Sequence, residues 1–269
     1  MDMPNVARAA LHMWEEPCLS GERGAGTIFF CGCNLDCVFC QNYEISHGSI
    51  GSQMNANSLV DLMIRLQEVG AHNIDLVTPT PHLSILLSAL EKAKAAGLTI
   101  PVVYNTNGYE LVESLKKLEG LVDIYLPDLK YVSSIAGQKY SGAADYFQFA
   151  APAILEMQRQ CGTLVLDEEG IAKKGLMVRH LVLPGSVDEA RGALDFIAAN
   201  LPKETQVSLM SQYVPCHRAV EPPINRRLSR HEYQRAVDYC LSVGLKRVFV
   251  QELDAADLSY TPSFDGAII

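Results

Sequence analysis

Short apolar runs of four to eight residues alternate along the chain with longer segments whose apolar positions recur at helical spacing. That rhythm predicts parallel strands joined by helical crossovers, an α/β fold. The runs Thr27 to Phe30, Ile74 to Val77, Ile100 to Tyr104, Val122 to Leu126, Leu176 to Leu183, Val207 to Met210 and Arg247 to Val250 read as strands. Between the first two, Ser58 is placed to cap a helix carrying Leu59, Leu62, Leu66 and Val69, which Gly70 stops. Ser186 with Glu189 and Ser229 with Glu232 each match a capping box. The second opens a helix expected to bury Tyr233, Ala236, Val237 and Cys240 before Gly244. Thr163 to Lys174, with its Asp-Glu-Glu-Gly turn, reads as a hairpin-like excursion ahead of the fifth strand. No repeat, low-complexity tract or linker interrupts the pattern, so residues 1–269 are expected to form one domain, with an N-terminal extension over 1–25 and a C-terminal tail over 252–269.

Polar residues gather at the carboxyl ends of these strands. Gln41, Asn42 and Tyr43 follow the first, Thr78-Pro-Thr80-Pro-His82 the second, Asn105-Thr106-Asn107-Gly108 the third and Asp128-Leu-Lys130 the fourth. Arg179 and His180 lie in the fifth, and Ser211, Gln212 and Tyr213 follow the sixth. Where parallel strands curl into a barrel, loops at their C-terminal ends build the active site, so such a series can converge on one ligand. Each member alone is weak, since Asn-Gly is an ordinary turn signal and a lone His is usually structural. Arg179 inside an otherwise apolar strand needs an anion: either a carboxylate ligand or a structural partner such as Asp128. Tyr109, Tyr131, Gln212, Tyr213 and His217 are candidates for a substrate cleft, the tyrosines being equally suited to half-buried packing.

The loop after the first strand carries Cys33-Asn-Leu-Asp-Cys37-Val-Phe-Cys40, three thiols with no cysteine or histidine spaced as a fourth ligand. A structural zinc site closes its shell with four protein ligands, and an electron-transfer 4Fe-4S cluster usually takes four cysteines. Three leave an iron open for chemistry. The alternatives are a zinc knuckle or three unrelated core thiols. Cys31 lies two residues before Cys33, so in an extended segment both side chains would face the same side. It reads as a small interior residue, and Cys18, Cys161, Cys216 and Cys240 as mostly buried hydrophobes. Eight cysteines with three in a tight cluster suit metal chemistry in a reducing compartment better than a disulfide framework. A hydrophobic content of 48% supports a large core. No leader pattern and no apolar run long enough to cross a bilayer is evident, which points to a cytoplasmic protein away from membranes. A net charge of −9 without an extended Lys/Arg run argues against nucleic acid, and Arg226, Arg227 and Arg230 read as a solvated helix entrance.

The Cys-x3-Cys-x2-Cys spacing resembles the signature of the radical S-adenosylmethionine (SAM) enzymes. Further stretches resemble the pyruvate formate-lyase activating enzyme-like branch: Glu15-Glu16-Pro17-Cys18-Leu19-Ser20-Gly21, Gly26-Thr27-Ile28-Phe29-Phe30, Cys40-Gln41-Asn42-Tyr43-Glu44-Ile45-Ser46, Val178-Arg179-His180-Leu181-Val182-Leu183-Pro184-Gly185, Met210-Ser211-Gln212-Tyr213-Val214-Pro215 and Ile224-Asn225-Arg226-Arg227-Leu228. The resemblance implies a partial, open (β/α)6 barrel of TIM type with a 4Fe-4S cluster and SAM at its mouth. It places the cluster on Cys33, Cys37 and Cys40, Phe39 beside the adenine, and Asn105, Thr106, Asp128 and Lys130 at SAM or an associated cation. Arg179 falls near the methionine carboxylate, and Gln212 joins the cofactor-binding set. The Gly-Gly-Glu segment that usually meets the SAM amino group is replaced by Thr78-Pro79-Thr80, so Thr78 and Thr80 are expected to take that role through hydroxyls or carbonyls. Activating enzymes tend to carry Asp where Asn105 stands, which weakens a bound cation. The implied activity is reductive cleavage of SAM to a 5′-deoxyadenosyl radical that abstracts hydrogen, in the resembled enzymes from a glycine of a partner protein, with an electron donor such as flavodoxin or ferredoxin. A peptide or small-metabolite substrate is the second reading. A non-catalytic metal-binding scaffold ranks last, because it leaves the strand-end polar series unexplained.

Overall fold

The computed structural model describes residues 3–48, 50–252, 256, 262–264 and 266–269. Its strands are β1 (Asn5–His12), β2 (Ala25–Phe30), β3 (Ser52–Gln53), β4 (Ile74–Val77), β5 (Val102–Thr106), β6 (Ile124–Pro127), β7 (Val165–Leu166), β8 (Ala172–Leu181), β9 (Gln206–Met210) and β10 (Arg247–Val250). The helices are α1 (Pro17–Ser20), α2 (Tyr43–Ser46), α3 (Ala56–Glu68), α4 (Leu83–Ala95), α5 (Val112–Lys116), α6 (Ser134–Ser141), α7 (Tyr146–Cys161), α8 (Val187–Asn200) and α9 (Arg230–Ser242). Strands β2, β4, β5, β6, β8, β9 and β10 run parallel in that order, each step crossed by at least one helix. This is the open, largely parallel sheet of a partial barrel, as the alternation of runs predicts. No helix among the described residues is long and apolar enough to cross a membrane.

Three local expectations change. The helix after β3 is capped by Asn55, whose side chain accepts from the backbone N–H of Ser58, so the cap lies three residues before the serine. Ser186 makes no side-chain cap; its supposed partner Glu189 instead accepts from the backbone N–H groups of Val132 and Ser133. Strand β5 starts at Val102 because Pro101 has no N–H to pair, and the N–H groups of Thr99 and Ile100 both go to the Gln67 side chain. The Ser229 and Glu232 capping box is present, and β7 pairs antiparallel with β8 as the hairpin-like excursion implies. The clearest omission is β1, which pairs antiparallel with β2 inside the stretch read as an extension. Ile269 bonds Ala9 and Ile268 bridges it, so the end of the chain lies along β1. Residues 253–255, 257–261 and 265 of the expected C-terminal tail lie outside the described residues.

Strand alternation sorts the core into layers. One face of the sheet, with Ile28, Phe30, Ile74, Leu76, Val102, Tyr104, Tyr125 and Val178, packs against the helices. On the concave face Val103, Ile124, Leu126 and Met177 pack against Cys18 and Leu19 of α1, which plugs that side of the sheet. Phe29 and Val77 form a separate small cluster with Cys31 and Ile45. Between these two apolar patches the inward positions are polar: Thr27, Asp75, Asn105, Arg179 and Ser208. The loop after β5 closes tightly over the end of β6. Gly108 has φ +82°, and a Cβ there would sit 2.2 Å from the carbonyl oxygen of Asp128. We expect Gly108→Ala to lose roughly 2–4 kcal/mol of stability through left-handed strain and this clash; urea unfolding of the purified variant measures it, and an unchanged midpoint would show that the loop relaxes freely.

Candidate active site at the strand ends

Cys33, Cys37 and Cys40 are carried into one cavity of about 250 Å³ by a loop fixed at both flanks. Asp36 and Val38 donate backbone hydrogen bonds to Ser141 and Tyr140 at the end of α6, and Arg218 donates to Val38 from the other side. Each sulfur has a polar neighbour. Cys37 Sγ lies 2.9 Å from Ser141 Oγ, Cys40 Sγ 3.1 Å from Ser46 Oγ, and Cys33 Sγ accepts from the Asn107 amide at 3.5 Å. Such contacts tune thiolate and cluster energetics from outside the ligand shell. Burial pushes the Cys37 thiol up to about 11 and raises Cys33 as well, so metal binding there must release protons. Cys31 is buried, as its reading as a small interior residue predicts: Gly32 at φ +90° breaks the extended run that would align it with Cys33, and its Sγ donates to the Ile50 carbonyl. Cys18, Cys161 and Cys240 are buried, whereas Cys216 is partly exposed and contacts the Phe39 carbonyl.

The donor set fits a cluster with an open corner. Three thiols of one loop face one cavity, and no fourth cysteine is among its lining residues.

Phe39, Thr78, Asn105, Thr106, Asp128, Lys130, Arg179 and Gln212 line the same cavity. Thr80 does not. A 3-10 turn over Thr80–His82 rotates it away, and its hydroxyl donates to Glu110 at 2.5 Å. Thr78 holds a left-handed conformation, φ +58°, with its N–H on the Asn105 carbonyl. For a β-branched residue that is strained. Of the tyrosines proposed for a cleft, Tyr213 reaches the cavity and Tyr131 is buried against Ser141. His217 stacks on Tyr43 at 4.9 Å.

Arg179 finds its partners within the protein. Its Nε donates to Asp128 at 2.9 Å, one terminal nitrogen to Asn105 Oδ1 at 2.7 Å, and the other lies 3.5 Å from Glu15. Lys130 Nζ lies 2.6 Å from the second oxygen of Asp128. Burial opposes it, yet the two cations together hold the Asp128 carboxyl below its ordinary value. Glu15 and Asp75 have no such balance. Burial raises both carboxyls, Asp75 well above the usual range. Glu15 is a site residue that sequence reasoning missed, and Asn107, read there only as one member of the strand-end polar series, contacts the Cys33 sulfur. The signals were the paired acids of the segment Glu15 to Gly21 and the second Asn of Asn105-Thr-Asn107-Gly, neither of which reveals its partner.

Residues 27–158 match the sequence model of the Radical SAM superfamily, and an uncharacterized protein of Methanocaldococcus jannaschii is 34% identical over 249 residues, 89% of this chain and 68% of that one. The chain belongs to the radical SAM superfamily. Solved structures agree on the fold. Streptococcus suis SuiB, in crystals with S-adenosylmethionine and with the precursor peptide SuiA, matches 84% of this chain with TM-scores of 0.53 and 0.55 at 16% and 15% identity. Those matches cover 47% and 48% of the SuiB chains, about half their length. A 4Fe-4S cluster and SAM, the cofactors of radical SAM enzymes, are therefore those of this chain.

Two outcomes follow from this layer of the radical SAM site. Thr78→Gly is expected to raise stability by about 1 kcal/mol, because glycine adopts the left-handed conformation without a Cβ penalty; a urea midpoint no higher than that of the parent would reject the strain. Asp75 binds its proton more tightly folded than unfolded, so it adds stability at low pH that is lost as pH rises from about 4, the unfolded value, through its higher folded value. Asp75→Asn should flatten the fall in stability as pH rises above about 4, with the contribution of Glu15 remaining; an unaltered pH profile by chemical denaturation would contradict the assignment.

Proposed function

We propose that this protein is a radical SAM enzyme of the pyruvate formate-lyase activating enzyme-like branch that abstracts hydrogen from a residue of a polypeptide partner, a glycyl residue being the first to test. One observation carries the reading: the three motif thiols share a single cavity with the polar residues from the ends of successive parallel strands. When bound, the cluster supplies the electron that cleaves the SAM sulfonium to methionine and a 5′-deoxyadenosyl radical.

The residues of the chain bind and orient. In this reading Cys33, Cys37 and Cys40 hold the cluster, with Asn107, Ser141 and Ser46 beside their sulfurs. Lys130 meets the methionine carboxylate, because its ammonium pairs with Asp128 through one of three N–H groups and can donate further bonds. Arg179, each of whose three nitrogens already faces a protein partner in Asp128, Asn105 or Glu15, acts by fixing the wall that carries Lys130. Thr78 offers its carbonyl or hydroxyl to the amino group in place of the missing Gly-Gly-Glu, and Phe39 lies beside the adenine. Thr80 drops out of this role because its hydroxyl is committed to Glu110. A polypeptide substrate is supported by an exposed rim in which Trp14, 63% exposed, also lines the cavity. The peptide-bound state of SuiB supports it as a use to which this fold is put.

Anaerobic reconstitution with iron and sulfide should give one 4Fe-4S cluster per chain, and dithionite with SAM should yield 5′-deoxyadenosine. Replacing Cys33, Cys37 or Cys40 by Ala should abolish both, whereas Cys240→Ala should lose only about 1 kcal/mol of packing stability. Stoichiometric zinc without deoxyadenosine would overturn the reading.

A further inference from the structure

A second cavity, of about 360 Å³, opens beside the first. Its walls include Tyr109, Leu111 and Phe149, with Asn34 of the cysteine loop and Thr80 at its edges and Glu110 among its lining residues. Glu110 is 3% exposed. A buried carboxyl either pairs with a cation or is pushed toward its neutral form; burial raises that of Glu110, and among the described residues its side chain has only hydroxyl partners, leaving the place of a cation open. Thr80 and Thr106 both donate to the same oxygen, Oε1, at 2.5 and 2.6 Å, and the Tyr104 hydroxyl is within reach. The rings of Tyr109 and Phe149 meet edge to face with centroids 5.2 Å apart, and Leu111, 58% exposed, marks the rim. Aromatic surface above a buried carboxylate is the chemistry that holds an alkylammonium: the rings attract the cation and cover its methylenes, and the carboxylate takes its N–H donors.

We propose that this cavity is a binding site for a primary alkylammonium group, with Glu110 as its counter-ion. The volume, about twelve waters' worth at about 30 Å³ each, admits a four-carbon alkylammonium with room to spare. Occupancy would be transmitted to the cluster side by two short links. Thr106, which donates to Glu110, lines the first cavity, and Asn107 joins Asn34 of the second wall to the sulfur of Cys33. The site stands independently of the substrate proposed above, because none of its wall residues other than Asn34 belongs to the cysteine loop.

The test uses the cluster-loaded protein and ligand-observed NMR titrations with n-butylamine, neutral 1-butanol and Nα-acetyl-lysine methylamide. Butylamine should bind at least tenfold more tightly than butanol, and Glu110→Gln should erase that difference. Leu111→Trp, at an exposed rim position where the fold tolerates change, should weaken amine binding by narrowing the mouth. Binding of the lysine amide alongside butylamine assigns the site to a polypeptide side chain, and binding of butylamine alone assigns it to a free amine; both sustain the ammonium site. Equal affinity for amine and alcohol, no binding of either, or an undiminished amine preference in Glu110→Gln would overturn it.

Discussion

The guanidinium of Arg179 is the constraint on which the mouth of this barrel depends. It sits on β8 beside the end of β6, and its donors reach Asp128 from β6, Asn105 from β5 and Glu15 from the segment between β1 and β2. A charge this deep is tolerable only while its partners stay in place. Asp128 in turn holds Lys130, the cation whose field falls on Cys37. The electrostatic setting of the cysteine loop thus hangs from an arginine that need not touch the cofactor.

The layers beneath explain how such a setting is kept dry. Helix α1 and its Leu19 close the concave face with apolar side chains, and the acids above them are held at low dielectric. Burial drives Glu15, Glu16 and Asp75 toward their neutral forms, while Asp128 stays ionised between two cations. One polar layer therefore contains carboxyls pushed in opposite directions by their surroundings, as expected where environment rather than residue type sets protonation.

Much of this was legible in the sequence. The parallel strands could be read because most of their apolar runs, those of β2, β4, β5, β6 and β9, are fully buried and bounded by turn residues, and the cysteine motif because its spacing is local. Strand β1 was hidden by its composition: Asn5-Val-Ala-Arg-Ala-Ala-Leu-His has five small or apolar residues but neither β-branched enrichment nor clean alternation. Cys31 was read correctly as a small interior residue, and Gly32 breaks the extended run that would have set it beside Cys33. Thr80 was placed with Thr78 at the SAM amino group, whereas a turn over Thr80–His82 directs its side chain toward Glu110. Glu15 could not be found at all, since its partner lies 164 residues away and nothing local announces the pairing.

The convergence of three separate chain segments on one guanidinium also bears on how this sequence can drift. Residues that share a buried charge do not contribute independently, and their coupling commonly reaches 0.5–3 kcal/mol. Loss of Glu15, Asn105 or Asp128 alone leaves a buried donor unanswered, so tolerated change at one of these positions will tend to require compensation at another. The three segments are therefore bound to one another as a unit of inheritance, although only the geometry of a folded barrel brings them within reach.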